Sequence, residues 1–215
     1  MIKAVLFDFD EVIVRSYENH LKAFLKTARK FGFKIKKDEI MERFGISASE
    51  IIKELLKLKG KKLKRFVEEK ERVFRKLSKK IVLVKGVKGI LKFLKESNLK
   101  VGIVSSAARK NIEKALKAKD LKEFFDVIIS AEDVKRHKPF PDPLLKAAKI
   151  LKVKPKECVY IGDSKYEMLA AKKAGMIGIG ILTSFYSARE LKKHGATYVC
   201  KNFREVKSLI QKLII

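Results

Sequence analysis

The residues from Ile2 to Asp10 (IKAVLFDFD) constrain what this chain can fold into more than any other stretch. Its apolar side chains run almost unbroken, as in a strand buried on both faces of a parallel sheet. The run then ends on two acids, Asp8 and Asp10. Residues i and i+2 of a strand point the same way, so the two carboxylates project side by side from its C-terminal end. Open α/β sheets place their ligands at that end. Two uncompensated acids there repel each other and resist desolvation, so they require a cation or a chemical role. A structural alternative stays open: Asp8 as a turn residue and Asp10 as the N-cap of the next segment.

After Asp10 the period changes. From about Ser16 to Lys80 the apolar residues recur at helical spacing, among them Leu21, Phe24, Ile40, Ile51, Ile52, Phe66 and Phe74. Gly32, Gly45 and Gly60 punctuate these helices, Ser47 or Ser49 suits the N-cap of the third, and the basic run Lys57 to Arg65 reads as an exposed inter-helix connection. From Ile81 strands and helices alternate. The strands read as Lys100–Val104, Phe125–Ser130, Cys158–Ile161, Met176–Leu182 and Ala196–Cys200, with helices between and a last helix over Phe203–Leu213. Ser187 and Glu190 form a capping box. This rhythm predicts a doubly wound, Rossmann-like parallel sheet. A first strand cut off from its successors implies an α-helical cap inserted at 15–81, with 1–14 and 82–215 forming the α/β core.

Lys and Arg number 52 against 25 acids, a formal net charge of +27. That excess suits anionic partners. Together with a single glutamine, Gln211, it also matches hyperthermophile usage. Cys158 and Cys200 sit in apolar strand-like runs and show no metal spacing, which points to a reducing cytosol. No stretch approaches the roughly 20 apolar residues of a membrane span, so the expectation is a soluble cytoplasmic protein. Nucleic acid is disfavoured as a partner, because Lys is dispersed along every helix and aromatics do not interleave with the basic residues.

Four clusters fall in loops after strands: Asp8 with Asp10, Ser105 with Ser106, Lys138 within KPFPDP, and Asp163 with Glu167. Parallel strands bring such loops to one edge. Two acids, a hydroxyl, an ammonium and a further acidic pair suit phosphoryl transfer with a carboxylate-held magnesium ion. Taken singly, Ser105 also reads as an N-cap, Lys138 as solvent-facing and Asp163 as a turn residue. Ser106 and Arg109 read as local capping and surface groups able to touch phosphate, and His137 and His194 as solvated loop histidines.

The ordered set DFDEVI, VSSA, KPFPDP and IGDS, with AAKKAG after it, resembles the haloacid-dehalogenase-like hydrolases, in the phosphoglycolate phosphatase and β-phosphoglucomutase branch. The resemblance covers essentially the whole chain. It implies Asp8 as nucleophile forming an aspartyl-phosphate and Asp10 as acid and base, protonated because adjacent carboxylates disfavour double ionisation. It further implies Ser105, Ser106 and Lys138 on the phosphate, and Mg2+ held by Asp8, Asp163 and the backbone carbonyl of Asp10. Glu167 stands where Asp is frequent and is expected to reach the metal through water. Glu11 replaces a common Gly, implying an altered turn or an extra carboxylate at the hinge. His20 occupies a position often His in the mutase branch, facing the site or packing.

The expected activity is hydrolysis of a small phosphorylated metabolite by a monomer or homodimer. The rivals are a sugar-phosphate mutase and a nucleic-acid-binding protein. Against the mutase, Ala48 stands where that branch carries an Arg suited to holding a second phosphate.

Overall fold

Strand β1 (Ala4–Phe7) is buried along its whole length and sits at the centre of a six-stranded sheet. The computed structural model describes residues 1–214. After β1 the chain runs through β2 (Val14–Arg15), α1 (Tyr17–Lys30), α2 (Lys37–Met41), α3 (Ala48–Leu56), α4 (Gly60–Leu77) and β3 (Val82–Leu83). It continues as α5 (Val87–Glu96), β4 (Lys100–Val104), α6 (Arg109–Ala118), β5 (Val127–Ile129), α7 (Asp142–Leu151) and β6 (Cys158–Gly162). The last elements are α8 (Lys165–Ala174), β7 (Ile177–Ile181), α9 (Ala188–Lys193), β8 (Tyr198–Cys200) and α10 (Phe203–Leu213). The main sheet has the order β5-β4-β1-β6-β7-β8 and every pairing in it is parallel.

Alternation along β1 sorts the core. Val5 and Phe7 pack with Ile90, Leu91 and Val206 on the side of α5, α6 and α10. Ala4 and Leu6 pack with Leu144, Ala147 and Ala171 on the side of α7 and α8. The in-register neighbours follow the same parity: Phe7 pairs with Ile103 and Ile161, and Leu6 with Gly102 and Tyr160. A period of two carried past Phe7 aims Asp8 toward the face that holds Tyr160 and α8. Helices cover both faces, as the alternating strands and helices predict.

Helices α1 to α4 form a separate layer with its own core, in which Leu21, Phe24, Ile40, Ile52 and Phe66 close on one another. Ser47 caps α3, its hydroxyl accepting from the Glu50 amide while the Glu50 carboxylate returns to the Ser47 amide. This helical cap region is joined to the sheet domain by two chain crossings. There β2 and β3 pair antiparallel, Val14 with Leu83 and Arg15 with Val82.

Two features differ from the sequence reading. The basic run is not a connection: only 57–59 link the helices, and Lys61 to Arg65 form the first turns of α4. Leu63 and Phe66 bury one face of those turns, and this burial outweighs the cost of cations at a helix N-terminus. The β2–β3 ribbon was not expected, because a pair of two-residue strands has no periodicity to read.

Leu6 is fully buried between β4, β6 and the α7–α8 layer. We expect Leu6→Ala to lower unfolding stability by about 2–5 kcal/mol, the cost of a core cavity, measured by chemical denaturation.

Candidate active site

Asp8, Asp10, Ser105, Ser106, Lys138, Asp163 and Glu167 all line one cavity of about 50 Å3, between the C-terminal edge of the sheet and the helical layer. Phe24, Phe44, Ile46, Ala48 and Ile51 of the cap supply its apolar roof. At roughly 10–15 Å3 per water-sized position, the space suits a single phosphoryl group.

The Lys138 ammonium sits at the centre. It donates to Asp8 Oδ1 at 2.6 Å, to Glu167 Oε1 at 3.0 Å and to the Tyr160 hydroxyl at 3.1 Å, which uses all three of its donors. Tyr160 in turn donates to the Val104 carbonyl at 2.9 Å. Burial works against the charge on Lys138, but Asp8 and Glu167 overcome it and hold the ammonium well above its ordinary pKa. Tyr160 carries no motif; its signal in the sequence is a phenol inside a buried strand, which must find a partner.

Glu167 fixes the opposite wall. Its Oε2 accepts from the amides of Asp163 at 2.8 Å and Ser164 at 3.0 Å, closing the start of α8. A side chain at Gly162 would place its Cβ 2.8 Å from the Glu167 Cβ, so glycine there lets the carboxylate lie over the strand end. Glu167 therefore stands closer to the centre than a role through water requires. One oxygen each of Asp8, Asp163 and Glu167 lie within 4.8 Å of one another. Burial, then the Glu167 charge, push Asp8 up to about 8 despite Lys138. Burial, Glu167 and Asp8 likewise hold Asp163 well above the carboxylate range. Three buried carboxylates around one ammonium fit a divalent cation, and hard oxygen donors suit Mg2+.

The Asp10 carboxylate is not part of this triad. It accepts from Ser16 Oγ at 2.5 Å and lies 3.2 Å from His20 Nε2. Burial favours protonation, yet His20, Ser16 and Lys70 together lower its pKa. The raised pKa that like-charge repulsion was expected to give Asp10 is found at Asp8 and Asp163 instead, because Asp10 has partners of its own. His20 stacks on Phe74 with centroids 3.8 Å apart and faces the site rather than merely packing. Its Nδ1 is 2.8 Å from the buried Lys70 ammonium, which also donates to Glu71 at 2.8 Å. Glu71 then accepts from Asn111 of α6 at 2.7 Å, joining cap to core. Lys70, Glu71 and Asn111 were not foreseen. The signal was present for Lys70, a lysine on the apolar stripe Leu63, Phe66, Phe74 of α4.

Ser105 does not cap α6, which begins at Arg109; its oxygen accepts from the Ala107 amide at 3.0 Å, leaving the hydroxyl proton for the cavity. Ser106 donates to the Gly45 carbonyl at 3.3 Å, so it holds the cap loop here. Arg109 is engaged with Asp133 and the Ile128 carbonyl, away from the site. His194 is half-buried, with its Nδ1 2.7 Å from the Glu190 carbonyl at the end of α9, and His137 lines an outer cleft between cap and core. Glu11 keeps the left-handed turn that glycine would allow (φ 59°), and its buried carboxylate accepts from the amides of Ser16 and Tyr17, both at 2.8 Å. The extra carboxylate caps α1 at the hinge, which offsets the backbone cost of about 1–2 kcal/mol.

The haloacid dehalogenase-like hydrolase family profile matches residues 5–181. The chain belongs to this family. Among curated relatives of the hydrolase, one from Caldanaerobacter subterraneus subsp. tengcongensis named "Putative pyrophosphatase PpaX" is 32% identical over 98% of this chain and 95% of its own. The pyrophosphatase PpaX of Bacillus mycoides is 25% identical over 99% and 98%. Among solved structures, a β-phosphoglucomutase from Clostridium difficile superposes with a TM-score of 0.89 at 29% identity, over 99% of this chain and 96% of its own. CbbY from Rhodobacter sphaeroides, in complex with phosphate, gives 0.83 at 26% identity, covering 96% of both. In this haloacid dehalogenase-like hydrolase, the acidic cluster of Asp8, Asp163 and Glu167 accords with Mg2+ use and aspartyl-phosphate chemistry on a small phosphoester.

Without metal, Asp8 in the folded state keeps a proton up to about pH 8, whereas the unfolded chain releases it near 3.8. Folding stability therefore falls as pH rises through that window. Mg2+ displaces the proton, so its stabilising effect grows with pH. We expect a larger rise in Tm on adding Mg2+ at about pH 8 than at about pH 6, read by calorimetry.

The cap lies closed, with Gly45 (φ 114°) against Ser164 and the Tyr166 and Tyr186 hydroxyls on the carbonyls of Glu42 and Phe44. A Cβ at Gly45 would come within 2.9 Å of the Ser164 Cβ. Gly45→Ala is expected to hold the cap off the core and to lower kcat/KM at least tenfold without changing the unfolding midpoint by more than a few degrees, in steady-state kinetics and thermal melts.

Proposed function

We propose that the protein is a Mg2+-dependent phosphatase that hydrolyses a small phosphomonoester through an aspartyl-phosphate. One observation carries the reading: an Asp8 oxygen is pinned by Lys138, beside an acidic triad, under a lid that leaves room for one phosphoryl group. Residues 15–81 act as the cap, and 1–14 with 82–215 as the core that holds the chemistry.

Asp8 attacks phosphorus; the bond from its carboxylate oxygen forms as the bond to the ester oxygen breaks. Asp10, once it carries a proton, gives it to the leaving alkoxide. It then takes a proton from the water that displaces Asp8 from phosphorus. The ionised state favoured by His20 and Ser16 is the one needed for that second half. Ser105 donates to a phosphoryl oxygen as charge builds there, and the Lys138 ammonium, held against Asp8, offsets that charge electrostatically. Ser106, on the Gly45 carbonyl, holds the cap loop over the phosphoryl site. Asp8, Asp163 and the Asp10 carbonyl, with Glu167 alongside, would hold the Mg2+ ion, which supplies positive charge against the phosphoryl oxygens.

Ala48 lines the cavity where a mutase needs a clamp for a second phosphate, so the intermediate is left to water. A second reading, inorganic pyrophosphate as substrate, draws support from the names of the PpaX relatives. Among the described residues no helix is long and apolar enough to cross a membrane. Two buried free cysteines, Cys158 and Cys200, support the cytosol as the compartment.

The test is phosphate release with Mg2+ from a panel of sugar phosphates, short-chain phosphate esters and pyrophosphate, with products followed by phosphorus NMR. Wild type is expected to yield free phosphate and no isomerised sugar phosphate, and Asp8→Asn to lose at least a thousandfold in turnover while keeping its fold. Near-normal turnover of that variant would refute the nucleophile. An isomer accumulating faster than phosphate would refute hydrolysis.

A further inference from the structure

A second cavity, of about 40 Å3, lies behind Asp10 and His20, which form the wall between it and the catalytic cavity. It is built from every part of the hinge. Val14 and Arg15 come from β2, Ile81 from beside β3, Phe74 from the cap helix α4 and Ser78 from the residue that ends it, and Lys114 and Ala115 from the core helix α6. Its inner wall is apolar: Phe9, Val14, Phe74, Ile81, Ala107 and Ala115. Its rim carries four cations, Arg15, Arg75, Lys80 and Lys114. The one acid in the lining is Asp10, whose carboxylate is already engaged by Ser16 and His20.

Two features of the lining set the chemistry of a ligand. Arg75, Lys80 and Lys114 have no hydrogen-bonding or ionic partner among the described residues, as is common in a chain with 52 Lys and Arg to 25 acids, but they converge with Arg15 on one apolar-walled pocket. The Ser78 hydroxyl is buried at this pocket without a partner, and such a group costs free energy until something bonds it. We propose that the hinge pocket binds a short-chain carboxylate, its apolar end against Phe9, Phe74 and Ile81 and its carboxylate among the rim cations.

The volume sets the size: at roughly 10–15 Å3 per water-sized position, it takes a body of about two to four carbons. The walls set the class. Orthophosphate would bury charge on all sides against phenylalanine and isoleucine, whereas a carboxylate with a hydrocarbon tail leaves its charge at the rim. The occupant touches cap, core and both crossings at once, so it favours the closed arrangement over any in which these surfaces separate. The pocket thus acts as a brake on cap opening, seated behind the acid–base residue.

The test uses the full chain with Mg2+ and butyrate as probe, followed by saturation-transfer NMR in the presence of saturating orthophosphate, which occupies the catalytic cavity. Butyrate is expected to bind with a dissociation constant on the order of a millimolar, given so few atoms. Affinity should fall roughly tenfold or more in the surface variant Arg75→Gln/Lys80→Gln/Lys114→Gln, which removes charge-assisted bonds. Ala115→Leu, which fills the pocket, should abolish binding while Mg2+-dependent melting is retained. No butyrate binding, displacement of butyrate by orthophosphate, or unchanged affinity in the charge variant would overturn the site. A kinetic arm rests on the phosphatase reading: butyrate should lower kcat/KM for p-nitrophenyl phosphate severalfold in wild type and not in the charge variant. Binding as expected with an unchanged kcat/KM would overturn the brake and leave the site. An enzyme with no turnover at all would sink the phosphatase reading and leave the binding arm to decide the site.

Discussion

A single ammonium among buried carboxylates organises this molecule. Lys138 reaches Asp8, Glu167 and Tyr160 from a loop that belongs to none of their strands or helices. An unpaired buried carboxylate carries a penalty of several kcal/mol, about 3–5 when its partner is removed. The ends of β1 and β6 and the start of α8 are therefore held in one arrangement by one side chain. That pairing leaves charge over: three carboxylates face one cation, and the surplus makes the cluster a receptor for a metal rather than a structural knot.

Much of this was legible in the sequence because it is local. The apolar run of β1 and its parity predict which way Asp8 faces, and parallel topology predicts that loops after successive strands meet. Ser47 with Glu50 and Ser187 with Glu190 announce helix starts from spacing alone. What escaped the reading is non-local. The protonation of Asp10 depends on His20 and Lys70, residues from two cap helices that meet only in the fold. The hinge ribbon pairs residues almost seventy positions apart in strands too short to show alternation. At Lys61 to Arg65, side-chain charge spoke for a loop while Leu63 and Phe66 spoke for a helix, and burial decided.

Glu11 shows how a residue with a side chain can hold a left-handed turn. The backbone keeps the strained geometry that glycine would take without cost, and the carboxylate recovers it by bonding two amides at the start of α1. The same side chain meets Arg15, whose guanidinium also reaches the Thr183 carbonyl at 2.6 Å, across the mouth of the sheet. Glu11 and Arg15 together thereby tie the entrance of the cap to the loop after β7.

The two chain crossings between cap and core run side by side and are bonded to each other. A single tether swivels about any axis; two tethers fastened together resist twisting and sideways drift, and yield chiefly by bending. Such a joint has one soft degree of freedom. Each descent of the cap then follows the same arc, and Gly45 lands on Ser164 without a search over orientations. The accuracy with which the roof meets the catalytic floor is thus set at the hinge, by four residues that touch no substrate.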